Sequence, residues 1–261
     1  MKANWQTFDF EGNTVKYLTA GTGANYAVVL QGWATKSELY ASVIDTLAEK
    51  YTVVFPALSG FGESDEPKGS FCVDDYARLV NALLAELDIE EAAFFCHSYG
   101  GRVFYKLNAR EDRFTRPTAL ILCDTAGIVP KKSLYKRLRI RLYKLGRRIL
   151  STKAARFFFP DALDELRRKN GSDDYNSATP VMRETLVRSV NEDLSHLIGR
   201  IDCPTLVMWG VLDDAVPISD AYKIRDSISD SAVIEFSSSG HFPFITESVR
   251  FIAVMRSFFS I

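Results

Sequence analysis

The chain has no apolar run approaching the roughly 20 residues that a membrane-spanning helix needs. Its first residues, Met1-Lys2-Ala3-Asn4-Trp5-Gln6, lack the apolar core of a secretory signal. Cysteine is scarce: Cys72, Cys96, Cys123 and Cys203 are widely spaced, and three sit in or beside apolar runs. That spacing fits buried free thiols in a reducing compartment better than disulfides or a metal, so a cytoplasmic protein is expected. Net charge is nearly absent too. A balance of −1 gives the whole molecule no field that would draw in nucleic acid or an anionic membrane. H-E-x-x-H, paired C-x-x-C and G-x-x-x-x-G-K-[ST] are all missing, so no metal and no cofactor are expected. The early G-x-G, Gly21-Thr22-Gly23, precedes an apolar run instead of opening a helix, which argues against a dinucleotide site. Histidine is scarce as well, with His97, His196 and His241 the whole set.

What is present is the material of one large α/β domain, or of a core with an inserted cap, at 261 residues, 47% of them hydrophobic and 25% charged. Residues 4–10 and 14–19 alternate around Glu11-Gly12-Asn13, the pattern of an opening hairpin. Apolar runs then read as buried strands at Tyr26-Leu30, Thr52-Pro56, Ala92-Cys96, Ala119-Cys123, Thr205-Trp209 and Ala232-Phe236. Helical spacing covers 36–49, 72–88, 218–228 and 246–259. Strand and helix alternating at this rhythm imply a parallel sheet covered on both faces. The rhythm breaks near Gly127: residues 129–200 carry helix signals and no convincing strand, as an insertion between two strands would.

The organising stretch is Phe94-Phe95-Cys96-His97-Ser98-Tyr99-Gly100-Gly101, where an apolar strand runs into a serine between small residues and then into a helix. A serine on such a strand-turn-helix bend is a nucleophile elbow. Its strained backbone is tolerable only where the neighbours leave room, which Gly100 and Cys96 supply. A serine needs a base within hydrogen-bond reach to act as a nucleophile. His97 adjoins it and should project away, and His196 sits at what reads as a solvated helix end. His241, in Ser239-Gly240-His241-Phe242-Pro243, lies just past the last strand, where function collects in such sheets. Trp209-Gly210-Val211-Leu212-Asp213-Asp214 places carboxylates just past the strand before it, and Asp124 is a third acid to weigh.

These pieces, with the Gly60-Phe61-Gly62-Glu63-Ser64 loop and Val216-Pro217, resemble the α/β-hydrolase superfamily over nearly the whole chain. The resemblance implies a mostly parallel eight-stranded sheet with helices on both faces. Residues 1–128 and 201–261 would form the core and 129–200 an inserted helical cap. It implies Ser98 as nucleophile, His241 as base and Asp213, ahead of Asp214 and Asp124, as the acid that orients the imidazole. The backbone N–H groups of Trp33 and Tyr99 would form the oxyanion hole, and Gly32, Trp33 and Phe242 would contact substrate. Trp33, Tyr99, Phe242 and Phe244 suggest apolar or aromatic groups of modest size beside the serine. A small-molecule carboxylic ester is the expected substrate, cleaved through an acyl-enzyme. The same triad turned on a carbon–carbon bond, thioester or lactone is one alternative, and a ligand-binding protein that keeps the fold without turnover is another. Serine instead of aspartate at the elbow argues against the dehalogenase and epoxide-hydrolase branches.

Two departures stand out. Gln31 occupies the place before the oxyanion glycine where the family usually has histidine; its amide can both donate and accept hydrogen bonds and is able to brace the loop. In the cap, Lys131, Lys132, Lys136, Arg137, Arg139, Arg141, Lys144, Arg147 and Arg148 interleave with Leu134, Leu138, Leu142, Leu145 and Ile149. A cap helix with its apolar stripe on the core and its charges in water is preferred over one that meets an anionic substrate or a lipid surface. Phe157-Phe158-Phe159-Pro160 likewise reads as packing before substrate wall.

Overall fold

The computed structural model describes residues 4–129, 134–159, 161–163, 165–166 and 172–261. Met1, Lys2, Ala3, Lys131, Lys132 and Pro160, which enter the readings above, lie outside these, as do the side chains of residues 134–140.

The chain opens with a hairpin, β1 (Asn4–Phe10) and β2 (Asn13–Ala20). Its turn residues Glu11 and Gly12 both take positive φ, 53° and 75°, the conformation that matches the twist of paired strands. β2 then pairs antiparallel with β4 (Tyr51–Pro56), and every later pairing is parallel. The remaining strands are β3 (Asn25–Leu30), β5 (Glu91–His97), β6 (Arg116–Cys123), β7 (Thr205–Gly210) and β8 (Ser231–Phe236). They form an eight-stranded sheet in the order β1-β2-β4-β3-β5-β6-β7-β8. The chain leaves β3 toward β4 on one side and returns to β5 on the other. Their carboxyl ends therefore open on the crevice where such sheets carry their sites.

Burial on both faces explains why the inner strands read as unbroken apolar runs. In β5, Phe94 and Cys96 point into one core with α2 (Val73–Glu86), α3 (Tyr99–Asn108) and α9 (Ile218–Ser227). Ala93 and Phe95 point into the other, with α1 (Ala41–Leu47) and α10 (Ser248–Phe259). Expected helix 36–49 is split: Ser37–Tyr40 forms a tight 3-10 turn ahead of α1.

Between β6 and β7 lie α4 (Leu134–Leu150), α5 (Lys153–Phe158), α6 (Asp173–Ser177), α7 (Pro180–Val190) and α8 (Ser195–Ile198). The described residues of this insertion contain no strand. Thr179 caps α7 by accepting from the Met182 amide, with Pro180 in the first helical position where its missing N–H costs nothing. Met182 and Leu186 bury themselves on the core, and Thr185 accepts from the Phe71 amide at 3.0 Å.

One expectation fails here. Leu142, Leu145 and Ile149 do not pack on the core but face solvent, and so do Phe157, Phe158 and Phe159. Helical periodicity establishes which residues share a face, not what that face meets. α5 and α6 are short, and the described side chains of the insertion that join the core come from α7 and from α8 with the residue before it.

Candidate active site

Ser98 sits between β5 and α3 at φ 50° and ψ −111°, a conformation that costs energy for any residue with a side chain. Its backbone is pinned on three sides. The Ser98 amide donates to the Cys123 carbonyl at 3.0 Å, and its own carbonyl accepts from Gly101 (3.1 Å) and Ala126 (3.0 Å). The bend works only because α3 lies against β3: a Cβ on Gly100 would stand 2.2 Å from the Leu30 carbonyl oxygen.

His241, after β8, places Nε2 2.8 Å from Ser98 Oγ and Nδ1 2.7 Å from Asp213 Oδ2. The other Asp213 oxygen accepts from the amides of Ala215 (2.8 Å) and Val216 (3.0 Å). That tight turn aims Asp213 inward and leaves Asp214 exposed. Burial opposes the charge on Asp213, but the His241 hydrogen bond and the two amides outweigh it and hold the carboxyl below its usual range. Burial also opposes a proton on His241. The hydrogen bond and charge of Asp213 outweigh that in turn, so the imidazole binds its proton more tightly than a free one. With Asp213 ionised and accepting, Nδ1 carries the proton and Nε2 presents its lone pair to the Ser98 hydroxyl.

Asp124, the rival acid, follows β6 fully buried, accepting from the Gly210 amide (2.9 Å) and the Cys123 thiol (3.2 Å). Burial pushes its carboxyl up to about 7, against those two donors. Its contribution to stability is thus full below an unfolded value near 3.8 and is lost as pH rises through about 7. Asp124, Asp213 and His241 bring one ligand atom each within 4.8 Å of one another, a spacing a metal could share. The hydrogen bonds just given already account for it.

The structure reveals a brace that sequence reasoning passed over. Both ring nitrogens of His97 are engaged, one with Tyr40 and one with the His241 carbonyl, each at 2.9 Å. A carbonyl only accepts, so Nε2 is the donor there and Nδ1 accepts from the Tyr40 hydroxyl. The Tyr40 oxygen in turn accepts from the Gly32 amide at 2.7 Å. One buried chain thereby ties the loop of His241 to the loop of Gly32. Burial, with His241 close by, pushes the His97 imidazole down to about 3, so it stays neutral and keeps this tautomer. An available signal was a polar residue ending an apolar run, since a buried polar group has to find partners.

The other sequence-derived residues fall as follows. Gly32 lies against the elbow, where a Cβ would be 2.9 Å from His97 Nδ1 and 3.4 Å from Ser98 Cβ. Trp33 is half-buried and meets Phe61 and Tyr99 edge-on. Among the described residues, the amides of Trp33 and Tyr99 have no acceptor, and Tyr99 opens α3, where N–H groups are unpaired and the helix dipole is positive. Gln31 donates to the Thr35 carbonyl at 2.6 Å, which braces the loop, while its buried oxygen has no partner among the described residues. Phe242 is half-buried against His97 and His241. Phe244 is the correction: it is buried in the core, stacked on Tyr40, and does not flank the serine. His196 is exposed, and the four cysteines are unpaired. No helix among the described residues is long and apolar enough to cross a membrane.

An eight-stranded, mostly parallel sheet bending into a helix at Ser98, with a helical insertion before β7, is the α/β-hydrolase fold. The chain belongs to the Alpha/beta hydrolase family, whose model matches residues 27–254. A similar relative is the pimeloyl-[acyl-carrier protein] methyl ester esterase of Aliivibrio fischeri, 25% identical over 93% of this chain and 96% of its own. Among solved structures, esterase RhEst1 from Rhodococcus sp. is similar with TM-score 0.72 and 24% identity, covering 100% of this chain and 99% of its own. The enol-lactonase from Burkholderia xenovorans is similar with TM-score 0.73 and 20% identity, covering 98% and 100%.

Proposed function

We propose that this protein is a serine hydrolase that cleaves carboxylic esters of small to medium apolar or aromatic groups through an acyl-enzyme. The observation that carries the reading is the unbroken relay from Ser98 Oγ through His241 to Asp213, at 2.8 and 2.7 Å. Ser98 Oγ attacks the acyl carbon while its proton passes to His241 Nε2. The carbonyl oxygen becomes an oxyanion, met by the Trp33 and Tyr99 amides; losing one such donor typically lowers the rate by about two to three orders of magnitude. His241 then gives its proton to the leaving alcohol. In the second half it takes a proton from water as that oxygen attacks the acyl carbon, then returns the proton to Ser98 Oγ as the C–O bond to serine breaks and the carboxylic acid leaves. Asp213 stabilises the imidazolium in both halves without accepting its proton.

Residues 129–200 act as a cap in this reading. Support comes from the Ser189 hydroxyl of α7, 2.8 Å from the Tyr99 hydroxyl, and from Met182, which sits where a Cβ on Gly60 would be, 2.3 Å from its sulfur. Trp33 and Phe242, both half-buried, supply apolar walls beside the serine. The relative named for a methyl ester makes methyl esters a natural part of any substrate panel.

The test is hydrolysis of p-nitrophenyl acetate, p-nitrophenyl butyrate and aryl methyl esters as a function of pH. Only neutral His241 serves as base, so kcat/KM should rise with pH, with its midpoint above the 6.5 of an ordinary imidazole. Asp213→Asn should move that midpoint down and lower kcat by about 10⁴-fold, because the groups that raise the pKa and fix the tautomer are gone. A panel without turnover, or a midpoint that ignores Asp213→Asn, would remove the relay from the mechanism.

A further inference from the structure

Helix α4 and the residues after it carry a face that ester hydrolysis does not use. Leu142, Leu145 and Ile149 recur at three- and four-residue intervals, so they line one side of the helix. They are 60%, 56% and 55% exposed. Phe157, Phe158 and Phe159 follow at 81%, 71% and 63%. Six of the twelve exposed large apolar side chains among the described residues therefore fall within residues 142–159. Water-facing apolar clusters of this kind mark surfaces that are covered by something else.

Charge narrows what that is. Arg141 and Arg148 are exposed along the edge of the stripe, and Lys144 and Arg147 are exposed farther round the same helix. Nine of the chain's 32 basic residues lie between 131 and 148 and no acid occurs before Asp161, although the whole chain is −1. A second copy docking stripe to stripe would set cation against cation, so self-association through this face is disfavoured. The stripe lies along a helix surface, and its members on α4 are leucine and isoleucine, with no Trp or Tyr at its exposed apolar positions; leucine is under-represented among the anchors of protein interfaces. Leucine and phenylalanine beside arginine and lysine is the composition of helices that lie in a lipid headgroup layer, where long basic side chains reach outward to phosphate.

We infer that α4 and Phe157–Phe159 form a docking face for an anionic lipid surface. The apolar side chains enter the acyl boundary and the flanking Arg and Lys residues meet lipid phosphates. The concentration of positive charge in this segment of a nearly neutral molecule turns this face toward the membrane before contact. The inference stands apart from the hydrolytic reading, since among the described residues no hydrogen bond, ion pair or ring contact joins this face to Ser98, Asp213 or His241.

The test is co-sedimentation of the full chain with vesicles of phosphatidylcholine alone and of phosphatidylcholine and phosphatidylserine in equal parts. Binding should require phosphatidylserine and weaken as salt rises toward about 1 M, where the screening length falls to roughly 3 Å. Arg141→Glu/Lys144→Glu/Arg148→Glu should weaken it by at least a hundredfold, at about five-fold per cation removed. Leu142→Gln/Leu145→Gln/Ile149→Gln should abolish it. All six positions are exposed, so both variants should keep the parent's thermal unfolding midpoint, and Phe157→Ser/Phe158→Ser provides a third probe away from α4. No binding, equal binding to neutral vesicles, binding unchanged in the variants, or retention on an immobilised acidic protein without vesicle binding would each overturn it.

Discussion

Ser98→Ala is expected to lower kcat for p-nitrophenyl butyrate by about four to six orders of magnitude while leaving KM within a few-fold. The substitution removes one oxygen from a half-buried position and leaves the pinned backbone of the elbow as it is. Whatever the site does by binding and by the Trp33 and Tyr99 amides survives, so the loss isolates the nucleophile. His241→Ala should fall nearly as far, and the double variant no further than the worse single. Groups that act in one step are not additive, because either deletion already stops it. Turnover in Ser98→Ala within about tenfold of the parent would transfer the chemistry to another group.

The second large effect concerns the fold. Gly100→Ala should destabilise the protein by about 3 kcal/mol or more, the upper end for overpacking a close-packed interior. The added Cβ meets backbone, at 2.2 Å from the Leu30 oxygen and 2.6 Å from its carbon, and a strand cannot swing aside as a side chain does. Relief requires α3 to lift from β3, which also moves the Tyr99 amide and the Ser98 bend. Gly69→Ala, with nothing within 4 Å of its Cβ, is the matched control and should change the urea midpoint very little. Equal midpoints for the two variants would mean that α3 approaches the sheet less closely than the elbow requires.

Much of this was legible in the sequence, for physical reasons that also set the limit. β3 and β5 are buried on both faces, so they had to be written as apolar runs, and Gly100 marked the close approach at the bend. The order Ser98, Asp213, His241 was readable because each residue follows a strand of one sheet. The choice between Asp213 and Asp214 was not fixed by type or spacing. It is made by the amides of Ala215 and Val216, which turn one carboxylate inward. The His97–Tyr40–Gly32 brace stayed hidden because it joins residues 57 positions apart. Tyr40 occupies an apolar position of its turn, and nothing local reveals what its hydroxyl meets. Phe244 misled for the opposite reason: it adjoins the His241 loop in sequence yet points into the core. The α4 stripe misled because amphipathic spacing is the same for a helix that faces a core and for one that faces a membrane.

His97 also sets how the site fails in acid. Its folded value, near 3, lies far below the 6.5 of the unfolded chain. The stability it contributes is present above about 6.5 and is lost as pH falls toward 3, when a buried cation would have to form beside His241. Protonation puts a hydrogen on Nδ1, which can then no longer accept from the Tyr40 hydroxyl, while the Nε2–H donated to the His241 carbonyl persists, so the Tyr40 end of the brace is the part that gives way.

The most direct measurement is intact-mass analysis after exposure of the native protein to a fluorophosphonate. Such a reagent reacts with a serine hydroxyl only where a neighbouring base has activated it. One label per chain, mapped to Ser98, absent from Ser98→Ala and strongly slowed in His241→Ala, is the predicted result. A folded, unmodified protein, or a label carried on any other residue, would contradict it.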